Sequence, residues 1–318
     1  MASLRPEDDE AARIILIAGP TASGKSALAL GVAAERGGVV INADSMQVYR
    51  DLRILTARPD AEEEARVPHR LYGFVDAAVT YSVGQWLHDV RREIARARAE
   101  GRTAVIAGGT GLYFHALEHG LAEIPEVPAD IRGDLRKRMD REGPEALHAI
   151  LETRDAEAAA RIRSRDRQRI LRALEVVEAT GRPLSAWQRE AHAAAPLAGA
   201  SALRIVLAPP REVVYRRADE RFDAMLKAGA LDEVRALADR KLDPRLPATK
   251  ALGVPQLIAH VEGRLGLEEA IETTKTQTRR YAKRQMTWMR GNMTGWTWIR
   301  ASHIEAARDR VLAAAVSS

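Results

Sequence analysis

The chain reads as an α/β protein: a P-loop NTPase-like parallel sheet flanked by helices, interrupted by a helical insertion. Three observations predict this. Gly19-Pro20-Thr21-Ala22-Ser23-Gly24-Lys25-Ser26 spells G-x-x-x-x-G-K-S between an apolar run and a helix-like segment. Short apolar runs recur with helical patterns between them, the rhythm of a buried parallel sheet. Between residues 124 and 200 that rhythm stops and helical periodicity takes over.

Taken in order, Ile14-Ile15-Leu16-Ile17-Ala18 predicts the first strand, and Ala27-Leu28-Ala29-Leu30 the helix after the phosphate loop. Further strands are expected at 39–43, 71–75 and 104–107. Ile124-Pro125-Glu126-Val127-Pro128 and the Ala- and Gly-rich stretch 193–202 are connectors around an insertion. Within it, helices are predicted at 131–141, 146–151 and, as one stretch, 156–180. The core then resumes with a strand at 203–208, helices at 211–228, 231–240 and 267–290, and a last strand at 296–299. The organisation expected is a flexible start at 1–12, a core of 13–123 and 201–318, and an insertion of 124–200.

The chain has 318 residues, 46% of them apolar, enough for a sizeable core. It has no apolar run long enough to span a membrane and no basic-then-apolar leader; Glu7-Asp8-Asp9-Glu10 suggests a solvated start, and a cytoplasmic protein is expected. The absence of cysteine excludes disulfides, a thiol nucleophile and thiolate metal sites. A net charge of +5 allows a polyanionic partner without requiring one.

The glycines of the loop let successive backbone N–H groups converge on a phosphate, the helix adds its positive end, Lys25 a point charge, and the Ser26 hydroxyl a ligand for Mg²⁺. That chemistry belongs to ATP- and other nucleotide-binding proteins, and a kinase or ATPase is one reading. Such enzymes carry an acid after a neighbouring strand, whereas 104–107 runs into Gly108-Gly109-Thr110-Gly111, leaving Thr110 as a small hydroxyl donor. The strand at 39–43 instead delivers Asp44-Ser45-Met46-Gln47 to the same rim of the sheet, where an acid can act on a second substrate. Basic residues cluster twice. Arg161, Arg163, Arg165, Arg167, Arg169 and Arg172 have only Asp166 opposing them in sequence, with Arg165, Arg169 and Arg172 on one helix face. Lys275, Arg279, Arg280, Lys283, Arg284 and Arg290 form the second group. Two such stripes beside a polyphosphate site suggest a nucleic-acid backbone. A non-catalytic RNA-binding protein is therefore a further reading. Trp187, Trp288, Trp296 and Trp298 fit packing better than base stacking.

Several motifs together carry a family resemblance: the phosphate loop, Asn42-Ala43-Asp44-Ser45-Met46-Gln47-Val48-Tyr49, Pro68-His69-Arg70-Leu71, Gly108-Gly109-Thr110-Gly111-Leu112-Tyr113, Asp166-Arg167-Gln168-Arg169, Arg172-Ala173-Leu174-Glu175-Val176 and Ala282-Lys283-Arg284-Gln285. Nearly the whole chain after the first dozen residues resembles the bacterial tRNA dimethylallyltransferases. The resemblance implies transfer of a dimethylallyl group from dimethylallyl diphosphate to N6 of the adenosine at tRNA position 37, by a monomer using Mg²⁺. It implies that Gly19, Pro20, Thr21, Ala22, Ser23, Gly24, Lys25 and Ser26, with Arg132, hold the diphosphate, and that Ser26 meets the metal. Asp44 is implied as the general base, with Thr110 beside the reacting centre. Asp44, Ser45, Met46, Gln47, Thr110, Arg132, Gln168, Arg169, Ile170, Leu171 and Arg172 are implied to contact the anticodon stem-loop, and the insertion to be its tRNA-binding domain. His69 is given an organising role. The chain departs from the family at Ile54-Leu55-Thr56-Ala57-Arg58-Pro59, where I-G-T-A-K-P is common, and at Val254, in a stretch that usually carries Gly-Tyr.

Overall fold

The computed structural model describes residues 14–122, 124–192, 196–197, 201–301 and 303–316; the expected flexible start and part of the 193–202 connector lie outside them. In chain order the elements are β1 (Ile14–Ala18), α1 (Lys25–Glu35), β2 (Val39–Asn42), α2 (Ala61–Arg66), β3 (His69–Arg70), α3 (Val83–Ala99), β4 (Ala104–Gly108) and α4 (Gly111–His119). There follow α5 (Ala129–Glu142), α6 (Pro144–Arg154), α7 (Ala156–Arg161), α8 (Arg167–Thr180) and α9 (Leu184–His192). The chain continues through β5 (Leu203–Leu207), α10 (Arg211–Lys227), α11 (Ala230–Asp239), a 3₁₀ turn (Ala248–Lys250), α12 (Val254–Val261), α13 (Leu267–Asn292), β6 (Thr297–Ile299) and α14 (Ile304–Val316). The described residues form two units, one made of 14–115 and 201–316 and the other of 116–197.

In the first unit the strands pair in parallel in the order β3-β2-β4-β1-β5-β6. Ile15, Leu16 and Ile17 are fully buried, as expected of a strand that is apolar at successive positions and covered on both faces. Ile15 and Ile17 pack with Leu28 and Val32 of α1 and Val311 of α14. A second cluster joins Val48, Tyr49, Leu52 and Leu55 to Phe222, Val234 and Leu257 from α10, α11 and α12. Leu55 and Val254, two of the family departures, are thus both core residues. β4 pairs with β2 on one side and β1 on the other, Ile106 lying opposite both Ile41 and Leu16, so the segments leaving these three strands emerge side by side. This is the rim at which open parallel sheets bind ligands.

The strand expected at 71–75 is not formed. β3 ends at Arg70, Leu71 and Gly73 take positive φ values of 63° and 56°, and only Val75 returns to a bridge with Tyr49. The turn is fixed because Asn42 Nδ2 donates to the Leu71 carbonyl at 3.0 Å. The apolar run therefore marks a turn with Leu71 and Val75 buried and Phe74 exposed, not a paired strand.

The second unit packs Leu135, Met139, Leu147, Leu151, Ile170 and Leu174 into its own core. The single helical stretch expected over 156–180 is broken after Arg161. Ile162 is extended, and the Asp166 carboxylate accepts the Arg169 N–H to start α8 afresh. Arg165 therefore precedes α8 and does not share a helix face with Arg169 and Arg172. Asp155, buried at the start of α7, accepts from the Ala158 N–H and from the N–H and hydroxyl of Ser185, tying α7 to α9.

Candidate active site

The chain leaves β1 at Ala18 and turns back through Ala22 and Gly24, both left-handed at φ 62° and 94°. A Cβ at Gly19 would come within 2.7 Å of Ser23 Oγ and 2.9 Å of the Leu207 carbonyl, so only glycine passes there. Ser23 is fully buried and its hydroxyl has no partner among the described residues. Lys25 begins α1, with Nζ 3.5 Å from the Pro20 carbonyl, and Ser26 beside it is exposed. Burial lowers the Lys25 pKa to about 8; the Asp44 carboxylate pulls it up and the Arg221 guanidinium pushes it down further.

Two arginines of α10 complete this cradle. Arg221 donates to Thr21 Oγ1 at 2.5 Å and Arg217 to the Ser23 carbonyl at 3.4 Å. They lie four residues apart, on one helix face. Sequence reasoning missed them, although the spacing, in a helix following a strand of the core, was a usable signal.

Facing the loop is the segment after β2. Asn42 accepts the Asp44 N–H at 2.8 Å and returns a bond to the Asp44 carbonyl, while Asp44 Oδ1 accepts the Met46 N–H at 2.9 Å. The carboxylate is thereby aimed by its own turn. Thr110 Oγ1 accepts the Ser45 N–H at 2.9 Å and lies 3.3 Å from Ser45 Oγ, and the Thr110 N–H bonds to the Ala43 carbonyl. Gly108 permits this approach, since a Cβ there would sit 2.0 Å from the Ala43 carbonyl oxygen. The expected pair Asp44 and Thr110 is brought together, within electrostatic reach of Lys25 and Arg221.

Aromatic side chains surround the acid. Tyr72, Tyr113 and Tyr281 have phenol pKa values raised by burial and further by the Asp44 charge. Tyr113 stacks on Trp86 at 4.2 Å between ring centroids, and the Trp86 indole donates to the Asn42 carbonyl. The Gln47 amide N–H₂ is spent on the Thr56 and Ala57 carbonyls, leaving only its oxygen for a partner; Met46 is half-buried. His69 bonds to the Val67 carbonyl and packs edge-on to Tyr72, an organising role.

The remaining sequence-predicted residues belong to the second unit. Arg132 is half-buried on α5; on α8, Gln168, Arg169 and Arg172 are exposed, Leu171 is partly covered, and Ile170 is a core residue without exposed surface. The first basic stripe is opposed by more than Asp166: Arg165 pairs with Glu145, Arg167 with Asp140 and Arg161 with Glu157. In the second group Lys275 and Arg279 turn inward to Asp223 and Asp219 of α10, while Arg280, Lys283, Arg284 and Arg290 are exposed. Apart from Glu157, one helical turn before Arg161, these acids lie far from their partners in sequence, which is why the stripes read as unopposed. Among the described residues no cluster of acidic, histidine or cysteine side chains is suited to hold a metal, and no helix is long and apolar enough to cross a membrane.

Comparison with known proteins gives a consistent result. Residues 47–292 match the family described as IPP transferase. A tRNA dimethylallyltransferase from Nitrobacter hamburgensis is 57% identical over 306 residues, covering 96% of each chain. One from Rhodopseudomonas palustris is 55% identical, covering 94% of this chain and 92% of its own. Among solved structures, the full-length tRNA isopentenylpyrophosphate transferase from Bacillus halodurans superimposes with a TM-score of 0.66 at 33% identity, covering 95% and 96% of the two chains. A eukaryotic dimethylallyltransferase acting on tRNA gives 0.78 at 26% identity over 95% of this chain and 76% of that one.

Proposed function

The chain belongs to the IPP transferase family, and from that premise we propose that it transfers a dimethylallyl group from dimethylallyl diphosphate to N6 of the adenosine at tRNA position 37, releasing diphosphate. The observation that carries this reading is the opposition of a phosphate cradle and a carboxylate: Lys25 and Arg221 stand within electrostatic reach of Asp44.

The cradle holds the leaving group. Lys25, Arg221 and the N–H groups opening α1 stabilise the negative charge that grows on the diphosphate as the C–O bond breaks. The donor set fits Mg²⁺, which keeps several waters and is held mainly by substrate phosphates; the Ser26 hydroxyl, exposed in the first turn of α1, would be its protein ligand. When bound, the ion neutralises charge on the diphosphate.

Asp44 works on the other substrate. The adenine amine is a poor nucleophile because its lone pair is delocalised into the ring, and it must shed a proton as the C–N bond forms. The Asp44 carboxylate accepts that proton, with Oδ1 steadied by the Met46 N–H. Thr110, fixed to Ser45, sits at the junction of the two half-sites, and the buried Tyr113–Trp86 stack braces the segment that carries Asp44 from behind, through the Asn42 carbonyl. The target base must leave its stack to reach N6. Exposed Gln168, Arg169 and Arg172, with Arg132, would grip the anticodon stem-loop through phosphates and base edges. Residues 124–200 then serve as the tRNA-binding insertion, and the cytoplasm is the expected site of action.

Incubation with dimethylallyl diphosphate and unmodified tRNA, followed by nucleoside mass spectrometry, should reveal isopentenyladenosine at position 37. Absence of that product from folded protein would defeat the proposal. The kinase or ATPase reading has little in its favour, because β4 runs into Gly108-Gly109-Thr110 with no acid at its end.

A further inference from the structure

Gln285 belongs to the Ala282-Lys283-Arg284-Gln285 motif, and neither half of the proposed chemistry uses it. It is only 7% exposed on α13. Its amide spans two loops: Oε1 accepts the Thr21 N–H at 2.8 Å, and Nε2 donates to the Gly109 carbonyl at 2.8 Å. Both ends are demanding. A Cβ on Gly109 would lie 2.3 Å from Gln285 Nε2, so with this glutamine in place position 109 has no room for a side chain.

The bonds do not stop there. The residue after Gly109 is Thr110, whose hydroxyl accepts the Ser45 N–H at 2.9 Å, and Ser45 follows Asp44. A polar chain thus runs from Thr21 of the phosphate cradle through Gln285, Gly109, Thr110 and Ser45 to the carboxylate. Since Gln285 already occupies the Thr21 N–H, that amide serves the strut in place of a phosphate. A residue needing one acceptor and one donor on a single planar group explains why an amide is buried here.

We propose that Gln285 is a positioning residue: it sets the separation between the diphosphate cradle and the Asp44 base, touching neither substrate. This rests on the assignment of those two half-sites above. Each half-site keeps its own ligands without the strut, so its loss misaligns the reacting groups more than it weakens either substrate.

The test begins with Gln285→Leu, which keeps the bulk and removes both bonds. Turnover should fall about 10²-fold, the scale of a misplacement near 1 Å, with the KM for each substrate within about threefold of wild type. Gly109→Ala pushes on the same strut from its other end and should show the same split. Combined with Gln285→Ala, it should add almost nothing to the loss from Gln285→Ala alone, because the atom its Cβ strikes is gone. Multiplying losses, unchanged turnover in Gln285→Leu, or a defect confined to the KM for the diphosphate would each overturn the proposal. Melting curves verify folding, and if Gln285→Leu does not fold, Gly109→Ala and the double variant decide. Hydrogen exchange at the Thr21 amide needs no turnover and should quicken in Gln285→Leu. Should Asp44→Ala remain fully active, the catalytic reading is at fault; should it be inactive while Thr21 exchange and turnover are normal in the Gln285 variants, the strut is.

Discussion

Raising the pH from 7 to 9 should weaken binding of dimethylallyl diphosphate to the free protein about tenfold. Burial holds the Lys25 pKa near 8, against 10.5 for an unperturbed lysine, with Asp44 opposing the shift and Arg221 adding to it. A bound diphosphate favours the ammonium and should return the pKa at least to its ordinary value. Between those two values the protein must take up a proton to bind, so the dissociation constant rises about tenfold per pH unit. At pH 9 roughly nine-tenths of the free protein carries a neutral lysine, which costs about 1.4 kcal/mol; at pH 7 the loss is negligible. The donor adds no slope of its own, since phosphate esters complete their ionisation near pH 6. Calorimetry without tRNA, at fixed ionic strength and Mg²⁺, would measure the effect. Lys25→Arg, permanently charged, should give a flat profile. Equal binding by wild type at pH 7 and 9, or the same slope in Lys25→Arg, would refute the reasoning. Stability provides a check of opposite sign. With the folded pKa lowered, the unfolded chain binds more protons between pH 8 and 10.5, so the Lys25 contribution to folding improves over that window.

Three further outcomes are expected. Asp44→Ala should lower turnover about 10²-fold or more while tRNA affinity, read by filter binding, is largely kept, and parallel losses in both would remove its role as base. Replacing Arg169 and Arg172 by alanine should weaken tRNA binding and reduce the slope of log affinity against log salt by about 1 to 2; an unchanged slope would move the RNA path elsewhere. In the second unit, Asp155→Ala removes an acceptor of bonds from Ser185 and the Ala158 N–H, and should cost about 2 to 3 kcal/mol in denaturant melts. Burial by itself would raise the Asp155 pKa, but those bonds outweigh it and hold the carboxyl below the usual range. Its stabilisation is therefore complete above about pH 4 and lost as the pH falls through the lowered value, and a melting profile insensitive to acid would contradict this.

Local signals marked out much of the candidate site. The glycines and lysine of the phosphate loop, the acid after β2 and the hydroxyl after β4 each follow a strand directly, and strand ends are legible as apolar runs. Contacts remote in sequence were not legible. Arg221 reaches Thr21, Gln285 spans Thr21 and Gly109, and Asp219 and Asp223 silence Arg279 and Lys275, each across more than fifty positions in the chain. The run at 71–75 misled because an apolar run does not specify pairing: the turn pinned by Asn42 buries Leu71 and Val75 at its ends and leaves Phe74 exposed.

By itself, then, the sequence determined the parallel sheet, the glycine-rich turn after β1 and which side chains bear charges or hydroxyls near the strand ends, because these depend on short-range backbone preference and on side-chain type. Tertiary structure alone decided which charges remain open, that burial lowers the Lys25 pKa to about 8, and that Gln285 and Thr110 link Thr21 of the cradle to the segment carrying Asp44. Desolvation, ion pairing and the spacing between loops are properties of groups brought together in space, and spacing along the chain does not encode them.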